Sequence, residues 1–344
     1  MFVELACELH RRCATCQCAY EFSIAHERDG LSATKAHASR AIESLQPRGV
    51  FMSSLTIQSA ATDKTFRTGF RRLALSSLRS LFAIAAFAGA AHIASAASVD
   101  EIKSRGYISV ATEDDFKPFE FVDNGAPTGY DNEMLALVKK KLPVQVKQQI
   151  MPWSGILPGV TTGKYDMAVT AVLVTPERKG TFDFTAPLAE STTFFATKKG
   201  SPIKSADDLI GKVIGVQTGS AMLADVKAFD EQLKKTHGGN GLKQIVEYQS
   251  YPETYQDLAL GRLDAVANTQ INLNSLIRTR PDTFVIGQKI GSPVYIAWAV
   301  KKGDTAALQM VNSVLLDLRK SGEMYQVQKK WFGASFESMP QSIN

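Results

Sequence analysis

An arginine stands in the first turn of a predicted helix in the stretch TAVLVTPERKGTFDFT, residues 170 to 185. The preceding apolar run is typical of the end of a buried strand, Thr175 is a favourable N-cap, and Pro176 suits the first helical position. Arg178 then brings a positive charge to the positive end of the helix dipole, which is unfavourable. Either this arginine is a solvated surface charge, or it binds an anion together with backbone N–H groups.

Cysteine content and charge exclude several functional classes. All four cysteines of the 344-residue chain lie near its N-terminus, at Cys7, Cys13, Cys16 and Cys18. No second half of a zinc site follows them, so we predict neither a metal nor a cofactor. From residue 97 onward, 28 Lys and Arg stand against 27 Asp and Glu, a net charge of +1. This balance gives no reason to expect a nucleic-acid partner.

The N-terminal part has the pattern of an export signal. Four arginines between residues 67 and 79 precede an apolar run from 81 to 91, and Ala-Ser-Ala follows at 94 to 96. The run is too short to span a bilayer, so we predict a signal peptide that is cut near Ala96/Ala97. Because export machinery reads an N-terminus, we expect translation to start at Met52, with residues 1 to 51 as upstream sequence and 52 to 96 as the signal. No later segment has the apolar length of a transmembrane helix.

From Tyr107 onward, short strands alternate with helices, which is the pattern of an α/β fold with mainly parallel sheets. We predict a strand at 107 to 112, a helix at 132 to 142 that is capped by Asp131, and a second strand at 144 to 150. These elements precede the TPER stretch and position it at the end of a strand.

One strand-helix-strand unit occurs twice, 98 residues apart. The segments that begin at Trp153 and Tyr251 each place an aromatic residue before a helix, a glycine ten residues later, and a basic-x-Asp before the next strand. The glycine suits a helix end, and we assign turn roles to the two aspartates, Asp166 and Asp264. The repeat predicts two similar lobes.

The chain is predicted to pass between these lobes twice. TTFFATKK (192 to 199) resembles a crossing strand, SPVYIAWAVKKG (292 to 303) the return strand, and two final helices (304 to 322 and 323 to 332) would pack on lobe 1. Ligands of open α/β sheets bind beyond the carboxyl ends of the strands, so a ligand is expected between the lobes. The predicted domains are 97 to 193 plus 298 to 344 for lobe 1, and 194 to 297 for lobe 2.

Five motifs in order resemble the family-3 solute-binding proteins of polar amino-acid ABC transporters: GYDNEMLALV, W-x-G-I-L-P-G-V-x-x-G-K-Y-D, T-P-E-R-x-x-x-F-D-F-T-x-P, G-V-Q-T-G-S and S-Y-P-E-x-x-x-D-L-x-x-G-R-L-D-A-V. The resemblance runs from about residue 100 to 333. It implies a periplasmic-binding-protein fold, two α/β lobes joined by two crossing strands that close on a ligand in the cleft between them. It also implies a periplasmic, non-enzymatic monomer that delivers a small zwitterion to a membrane permease.

The resemblance also implies a set of ligand-binding residues. Arg178 matches the arginine that binds the ligand carboxylate, and Ser220 matches a hydroxyl of lobe 2 that faces the same carboxylate. Glu113, Phe116 and Trp153 match acidic and aromatic contacts. The remaining matches lie in the loop that precedes TPER and after the second G-R-x-D: Thr170, Ala171, Leu173, Asn268 and Thr269.

Two departures from the family pattern concern the amine end of the ligand. Ala171 and Leu173 stand where most amino-acid binders carry Gly or Ser and then Thr or Ser. The aspartate that usually holds the α-ammonium is replaced in the run that contains Asn268 and Thr269. Glu113 then becomes the candidate partner for a cationic group, as in relatives that bind ectoine-like solutes. The alternative ligands are therefore ectoine-like compatible solutes or opines.

An enzyme of the same fold is the competing class. Cyclohexadienyl dehydratases carry an acidic residue soon after the second-lobe Gly-Thr, but here Gly219-Ser220 is followed by Ala221 and Met222. The segment from residue 97 also lacks an arrangement of a nucleophile with a histidine. Structural roles stay open for several site residues, since Trp153 and Phe116 could be core residues and Glu113 a surface charge.

Overall fold

The computed structural model of the protein describes residues 98 to 343. The proposed start at Met52, the export signal, its cleavage site and the four cysteines lie outside the described residues. Two α/β lobes make up this part of the chain, each built on its own sheet with helices packed against it. Among residues 98 to 343, no helix combines the length and apolar character that crossing a membrane requires.

The lobe 1 sheet has the strand order β5-β1-β6-β14-β7, with β8 paired to β14. β5, β1 and β6 are parallel, whereas β14 runs antiparallel to β6, β7 and β8. Its strands are β1 (Tyr107–Glu113), β5 (Gln145–Met151), β6 (Met167–Leu173), β7 (Phe182–Phe184), β8 (Ala189–Ser191) and β14 (Val294–Lys301). The helices of this lobe are α1 (Val99–Arg105), α2 (Tyr130–Lys141), α3 (Trp153–Thr161) and α4 (Pro176–Lys179).

The lobe 2 sheet has the strand order β11-β10-β12-β9-β13. β11, β10 and β12 are parallel, and β9 is antiparallel to both of its neighbours. Its strands are β9 (Thr193–Lys198), β10 (Val213–Gln217), β11 (Gln244–Tyr248), β12 (Ala265–Thr269) and β13 (Phe284–Lys289). A 3-10 turn (Asp207–Leu209) precedes the helices α5 (Ala221–Thr236), α6 (Tyr251–Ala259) and α7 (Gln270–Thr279).

A small antiparallel sheet and two C-terminal helices complete lobe 1. The small sheet consists of β2 (Asp115–Phe116), β3 (Glu120–Asp123) and β4 (Ala126–Thr128). The helices α8 (Thr305–Lys320) and α9 (Glu323–Phe332) follow β14 and contact α2, as expected from the sequence. The core of this lobe includes fully buried Trp298, Tyr130 and Phe119.

The chain passes from one sheet to the other at two points. It leaves β8 in lobe 1 and enters β9 in lobe 2 after Thr192 alone, and it returns from β13 to β14 through residues 290 to 293. The predicted domain boundaries, at 193/194 and 297/298, fall at β9 and within β14. They remain predictions, but the two sheets and their two connections give the predicted fold class.

The repeated unit has the same geometry in both lobes. α3 and α6 each span nine residues and begin with the aromatic residue. Gly163 and Gly261 follow them with φ of 76° and 75°, a backbone conformation that glycine adopts without a Cβ penalty. Asp166 accepts a 2.7 Å hydrogen bond from the Ser109 backbone N–H, and Asp264 accepts one of 2.8 Å from Val213. Each aspartate thus joins its turn to the neighbouring parallel strand of its own lobe, β1 for Asp166 and β10 for Asp264.

The predicted capping role of Asp131 is wrong. Helix α2 begins at Tyr130, one residue before Asp131, and its N-cap is Gly129, which has no side chain that could cap the helix. Asp131 is fully buried, and its Oδ1 accepts a 2.6 Å hydrogen bond from the Trp298 indole N–H. The sequence shows a favourable capping residue before a helix, but it does not show the buried indole that requires this acceptor.

Candidate functional site

Arg178 occupies the position that the sequence predicts for it. Its backbone N–H donates a 3.2 Å hydrogen bond to the Thr175 side chain, which caps the short helix α4. From there the guanidinium reaches back over the end of β6, where Nη1 donates to the Leu173 carbonyl at 2.9 Å. Nη2 lies 3.4 Å from the Gly219 carbonyl of lobe 2. The guanidinium therefore lies between the two lobes.

The surroundings of this guanidinium are aromatic and contain no carboxylate partner. Its central carbon lies 5.2 Å from the centre of the Trp153 ring, a cation–π distance. No salt bridge to Arg178 occurs among residues 98 to 343. Removal from water lowers the pKa of Arg178 to about 10, a shift that the nearby Glu177 opposes. The site thus holds a partly buried cation without an anion.

Glu113 forms another wall of the same site. It ends β1, is 3% exposed, and accepts a 2.7 Å hydrogen bond from Gln217 Nε2 of lobe 2. Burial raises the pKa of Glu113 to about 8; the Gln217 hydrogen bond lowers it, and Asp114 and Asp115 raise it further. Glu113 is therefore neutral or nearly so near pH 7, and it can ionise when a cation replaces the missing water.

A narrow cavity lies between these groups, with about 220 Å³ of space when open solvent is included. Seven of the ten residues predicted for the site line it: Glu113, Phe116, Trp153, Ala171, Leu173, Arg178 and Ser220. Its walls are thus apolar and aromatic, with one cationic and one acidic side chain that converge on the space. Pockets of this kind suit small ligands with a charged end. The described residues contain no group of three or more His, Cys, Asp or Glu that could hold a metal ion.

Three predicted residues do not line this cavity. The Thr170 hydroxyl donates to the buried carboxyl of Glu120, and the Asn268 amide donates to the Tyr255 hydroxyl at 2.7 Å. Thr269 caps α7, and its hydroxyl donates to the Asn272 side chain. These side chains already have partners inside their own lobes, which the sequence pattern could not reveal.

Ser220 lines the cavity but uses its hydroxyl locally. Its Oγ donates a 2.8 Å hydrogen bond to the Gln217 carbonyl and accepts one of 3.1 Å from the Leu223 backbone N–H, as the N-cap of α5. The hydroxyl proton is thus donated to the Gln217 carbonyl and is not available to a ligand in this arrangement. A ligand oxygen at this end would meet the first backbone N–H groups of α5, which are orphan donors at a positive helix end.

Sequence reasoning missed three lining residues, Gln217, Ala221 and Met222. Gln217 is the last residue of β10, in the G-V-Q-T-G-S motif, and the ends of parallel strands are where ligands bind in such sheets. Its place at a strand end was the signal that could have identified it. Ala221 and Met222 follow Ser220 in the first turn of α5 and close the cavity on the lobe 2 side.

A pair of buried acids, Glu120 and Asp131, lies behind the cavity in lobe 1. Both are fully buried, and their carboxyl groups lie within reach of each other, each with one oxygen, Glu120 Oε2 and Asp131 Oδ2, that has no other hydrogen-bond partner among the described residues. Burial and then the charge of Asp131 hold the pKa of Glu120 well above its usual range, and burial raises the pKa of Asp131 to about 6. Such a pair retains a proton, since two adjacent carboxylates do not readily ionise together in a low dielectric.

Comparisons with known proteins identify the family of the chain. Residues 108–334 match the family described as bacterial extracellular solute-binding proteins, family 3. The L-cystine-binding protein TcyJ of Escherichia coli (strain K12) is 30% identical over 239 residues, which cover 69% of this chain and 86% of that protein.

Solved structures give the same result. A mutant of ArgBP from T. maritima is 33% identical with a TM-score of 0.60, covering 68% of this chain and 99% of the other. The ancestral amino acid-binding protein AncCDT-1, a precursor of cyclohexadienyl dehydratase, is 30% identical with a TM-score of 0.60 and the same coverage. The predicted periplasmic-binding-protein fold is thereby confirmed. The chain belongs to the family-3 extracellular solute-binding proteins of bacteria.

Proposed function

We propose that this protein captures a small amino-acid-type zwitterion in the cleft between its lobes and delivers it to an ABC transporter permease. The observation that carries the proposal is the Arg178 guanidinium, which faces the cavity without an anionic partner among the described residues. A guanidinium offers more N–H donors than the Leu173 and Gly219 carbonyls use. A ligand carboxylate would take the remaining donors in a paired geometry.

Glu113 is the proposed partner for the positive end of the ligand. It lines the same cavity, and an ammonium group next to it would favour its ionised form. Phe116 and Trp153 add aromatic faces, each worth about 0.5 to 2 kcal/mol to a cationic group. The ligand would thus be held by opposite charges at its two ends.

The amine end nevertheless differs from that of ordinary amino-acid binders. Ala171 and Leu173 line the cavity without hydroxyl groups, and the Thr269 hydroxyl is bonded to Asn272. Ectoine-like solutes and opines, which present a carboxylate with a differently placed cation, are therefore the second candidates. Relatives named for binding cystine, histidine and arginine support an amino-acid ligand.

We further propose that the protein is not an enzyme. Ala221 and Met222 lie at the cavity where the dehydratase reaction would need an acid.

The proposal also includes export to the periplasm through residues 52 to 96, cleavage near Ala96/Ala97, and a monomeric mature protein. Mass spectrometry of the exported form tests the cleavage site directly.

Calorimetry with a panel of amino acids, opines and ectoine tests the binding function. At least one of these solutes should bind the wild-type protein, and Arg178→Ala should weaken it by about 100-fold or more, since hydrogen bonds between charged groups contribute about 1.5 to 3 kcal/mol each. Lys179→Ala is the matched control, because it removes an exposed cation from the same helix. Equal affinity of the wild type and Arg178→Ala would exclude Arg178 as the carboxylate partner. Turnover of an aromatic precursor would favour the enzyme.

A further inference from the structure

A second, larger cavity opens beside the one that contains Arg178. It measures about 720 Å³ including open solvent, and we call it the outer chamber. Lobe 1 contributes Asp115, Phe116 and Lys117 to its wall, and lobe 2 contributes residues of α6 and α7 together with Asn268. It therefore lies in the cleft, as does the cavity of Arg178, which we call the inner chamber.

The two chambers share one wall. Phe116 lines both of them, and its ring packs against that of Tyr251 with 5.6 Å between the ring centres. Because Phe116 belongs to lobe 1 and Tyr251 to lobe 2, this contact exists only while the lobes are together. A rotation of either ring, or a slightly wider cleft, would join the two chambers into one elongated site.

The shared wall contains an unused polar group. The Tyr251 hydroxyl is buried and makes no hydrogen bond of normal geometry within residues 98 to 343, although the Ser220 side chain and the Gln217 backbone both lie beside it. A buried hydroxyl without a partner is unfavourable by about 1 to 3 kcal/mol. A ligand that crosses the wall could supply the missing partner.

The outer chamber carries charged side chains, of which Lys117 Nζ lies 4.7 Å from the centre of the Phe121 ring and the Arg280 guanidinium 6.0 Å from that of Phe284. Asp115, Lys117 and Arg280 line it, and none of them forms a salt bridge in the described part of the chain. Asp115 is half-buried, and burial raises the pKa of its carboxyl, against the effect of Lys117. The chamber thus offers one carboxyl and two cations to a ligand. These charges complement the ammonium and the carboxylate of an amino-acid head group.

The framework of this chamber is fixed across the cleft. The Asn272 amide of α7 donates a 2.7 Å hydrogen bond to the Lys117 carbonyl of lobe 1. Asn268 donates to Tyr255, whose ring stacks on Tyr251 with 5.6 Å between the ring centres. The charged side chains therefore extend from a backbone that is held in place when the lobes meet.

We propose that the outer chamber receives the second charged head group of a two-headed solute whose first carboxylate is bound by Arg178. This inference rests on the proposed function of the inner chamber. The second head group would place its carboxylate near Lys117 and Arg280 and its ammonium near Asp115. The segment between the head groups would pass Phe116 and Tyr251, where an aliphatic or sulfur-containing spacer makes favourable contacts with aromatic rings.

Calorimetry with paired probes tests the inference on the full protein. The two-headed probes are L-cystine, L-lanthionine and meso-2,6-diaminopimelate. S-methyl-L-cysteine is the single-headed partner of the two sulfur-containing probes, and L-norleucine is that of meso-2,6-diaminopimelate. At least one two-headed probe should bind about 10-fold or more tightly than its single-headed partner. The double variant K117A/R280A should remove this advantage and change the affinity of single-headed probes by less than about 2-fold.

Two comparisons separate the possible outcomes. Lys289→Ala, which removes an exposed cation of lobe 2 outside both chambers, should leave every affinity unchanged. Thermal unfolding of K117A/R280A should match the wild type, because both side chains are exposed. If single-headed amino acids bind and no two-headed probe binds more tightly, the outer chamber is not a subsite, whereas the proposed function stands. If no amino acid of either kind binds, the proposed function itself is wrong.

Discussion

Glu113 and Gln217 occupy equivalent positions in the two lobes and are hydrogen-bonded to each other across the cleft, with 2.7 Å between Oε1 and Nε2. β1 pairs with β6 as far as Ala111, and β10 pairs with β12 as far as Gly215. Each of the two side chains stands two residues beyond that point, at the carboxyl end of its strand. The pseudo-symmetry of the lobes thus places an acid opposite an amide at the ligand cavity.

Glu113→Gln should stabilise the ligand-free protein, and the gain should grow with pH. The folded pKa of Glu113 is raised from 4.5 to about 8, so the folded state binds the proton more tightly than the unfolded state. This shift lowers the free energy of unfolding very little below about pH 4.5, and the loss of stability grows until the pH passes about 8. Glutamine carries no titrating carboxyl, so the gain in the free energy of unfolding should be about 4 kcal/mol at pH 8 and below about 1 kcal/mol at pH 5.

Urea unfolding at both pH values measures this difference. Asp123→Asn removes an exposed carboxyl from β3 and should show no comparable pH dependence, which makes it the matched control. A Glu113→Gln variant whose stability relative to the wild type is the same at pH 5 and pH 8 would mean that Glu113 titrates normally in the folded protein.

The two aspartates of the repeated unit should both be needed for stability. Asp264→Ala removes the 2.8 Å acceptor of the Val213 N–H at an exposed site and should lower the free energy of unfolding by about 0.5 to 1.5 kcal/mol. Asp166→Ala should cost more, because Asp166 accepts from the Ser109 hydroxyl and from Arg105 as well. Asp282 forms a surface ion pair with Lys199, so Asp282→Ala should lower the free energy of unfolding by at most about 1 kcal/mol. Denaturant unfolding of the three variants checks this order, and similar values for all three would contradict it.

The sequence predicted the elements whose signals are local. The helices that begin at Trp153 and Tyr251 could be placed because an aromatic residue, a glycine and an aspartate recur at the same spacing. Arg178 could be placed because a cap, a proline and a cation stand next to one another. These features depend on neighbours in the chain, which a sequence displays directly.

The sequence did not predict features that depend on distant partners. Asp131 is bonded to Trp298, 167 residues away, and Thr170 to Glu120, 50 residues away. Gln217 is bonded to Glu113, a residue of the other lobe. Spacing within a chain does not show which buried groups meet, so it does not reveal that side chains near the site, such as Thr170, already have partners in their own lobe.

Asp131→Asn should be neutral or stabilising at neutral pH, although the residue is fully buried. Asparagine can accept from Trp298 with its Oδ1 and donate to Glu120 with its amide, so both partners stay satisfied. It removes a carboxyl whose raised pKa costs stability as the pH rises through about 6, so the gain should be on the order of 1 kcal/mol at pH 8 and smaller at pH 5. Asp131→Leu is the contrasting variant, since it leaves the indole N–H unpaired and should destabilise at both pH values. Chemical unfolding at pH 5 and pH 8 measures both, and a large loss for Asp131→Asn would show that the pair needs two carboxyls.

Arg178→Lys should separate the charge of the site from its geometry. Lysine keeps a cation at the cavity but cannot donate in parallel to a carboxylate while it also reaches the Leu173 and Gly219 carbonyls. Its affinity for the best solute of the panel should therefore fall by about 10-fold or more, yet remain above that of Arg178→Ala. Ligand-induced stabilisation gives an independent measurement, because a ligand at 100 times its Kd adds about 2.7 kcal/mol to the free energy of unfolding. A lysine variant that binds as well as the wild type would mean that Arg178 supplies only a positive potential, and the carboxylate would then have to be fixed by the backbone N–H groups at the start of α5.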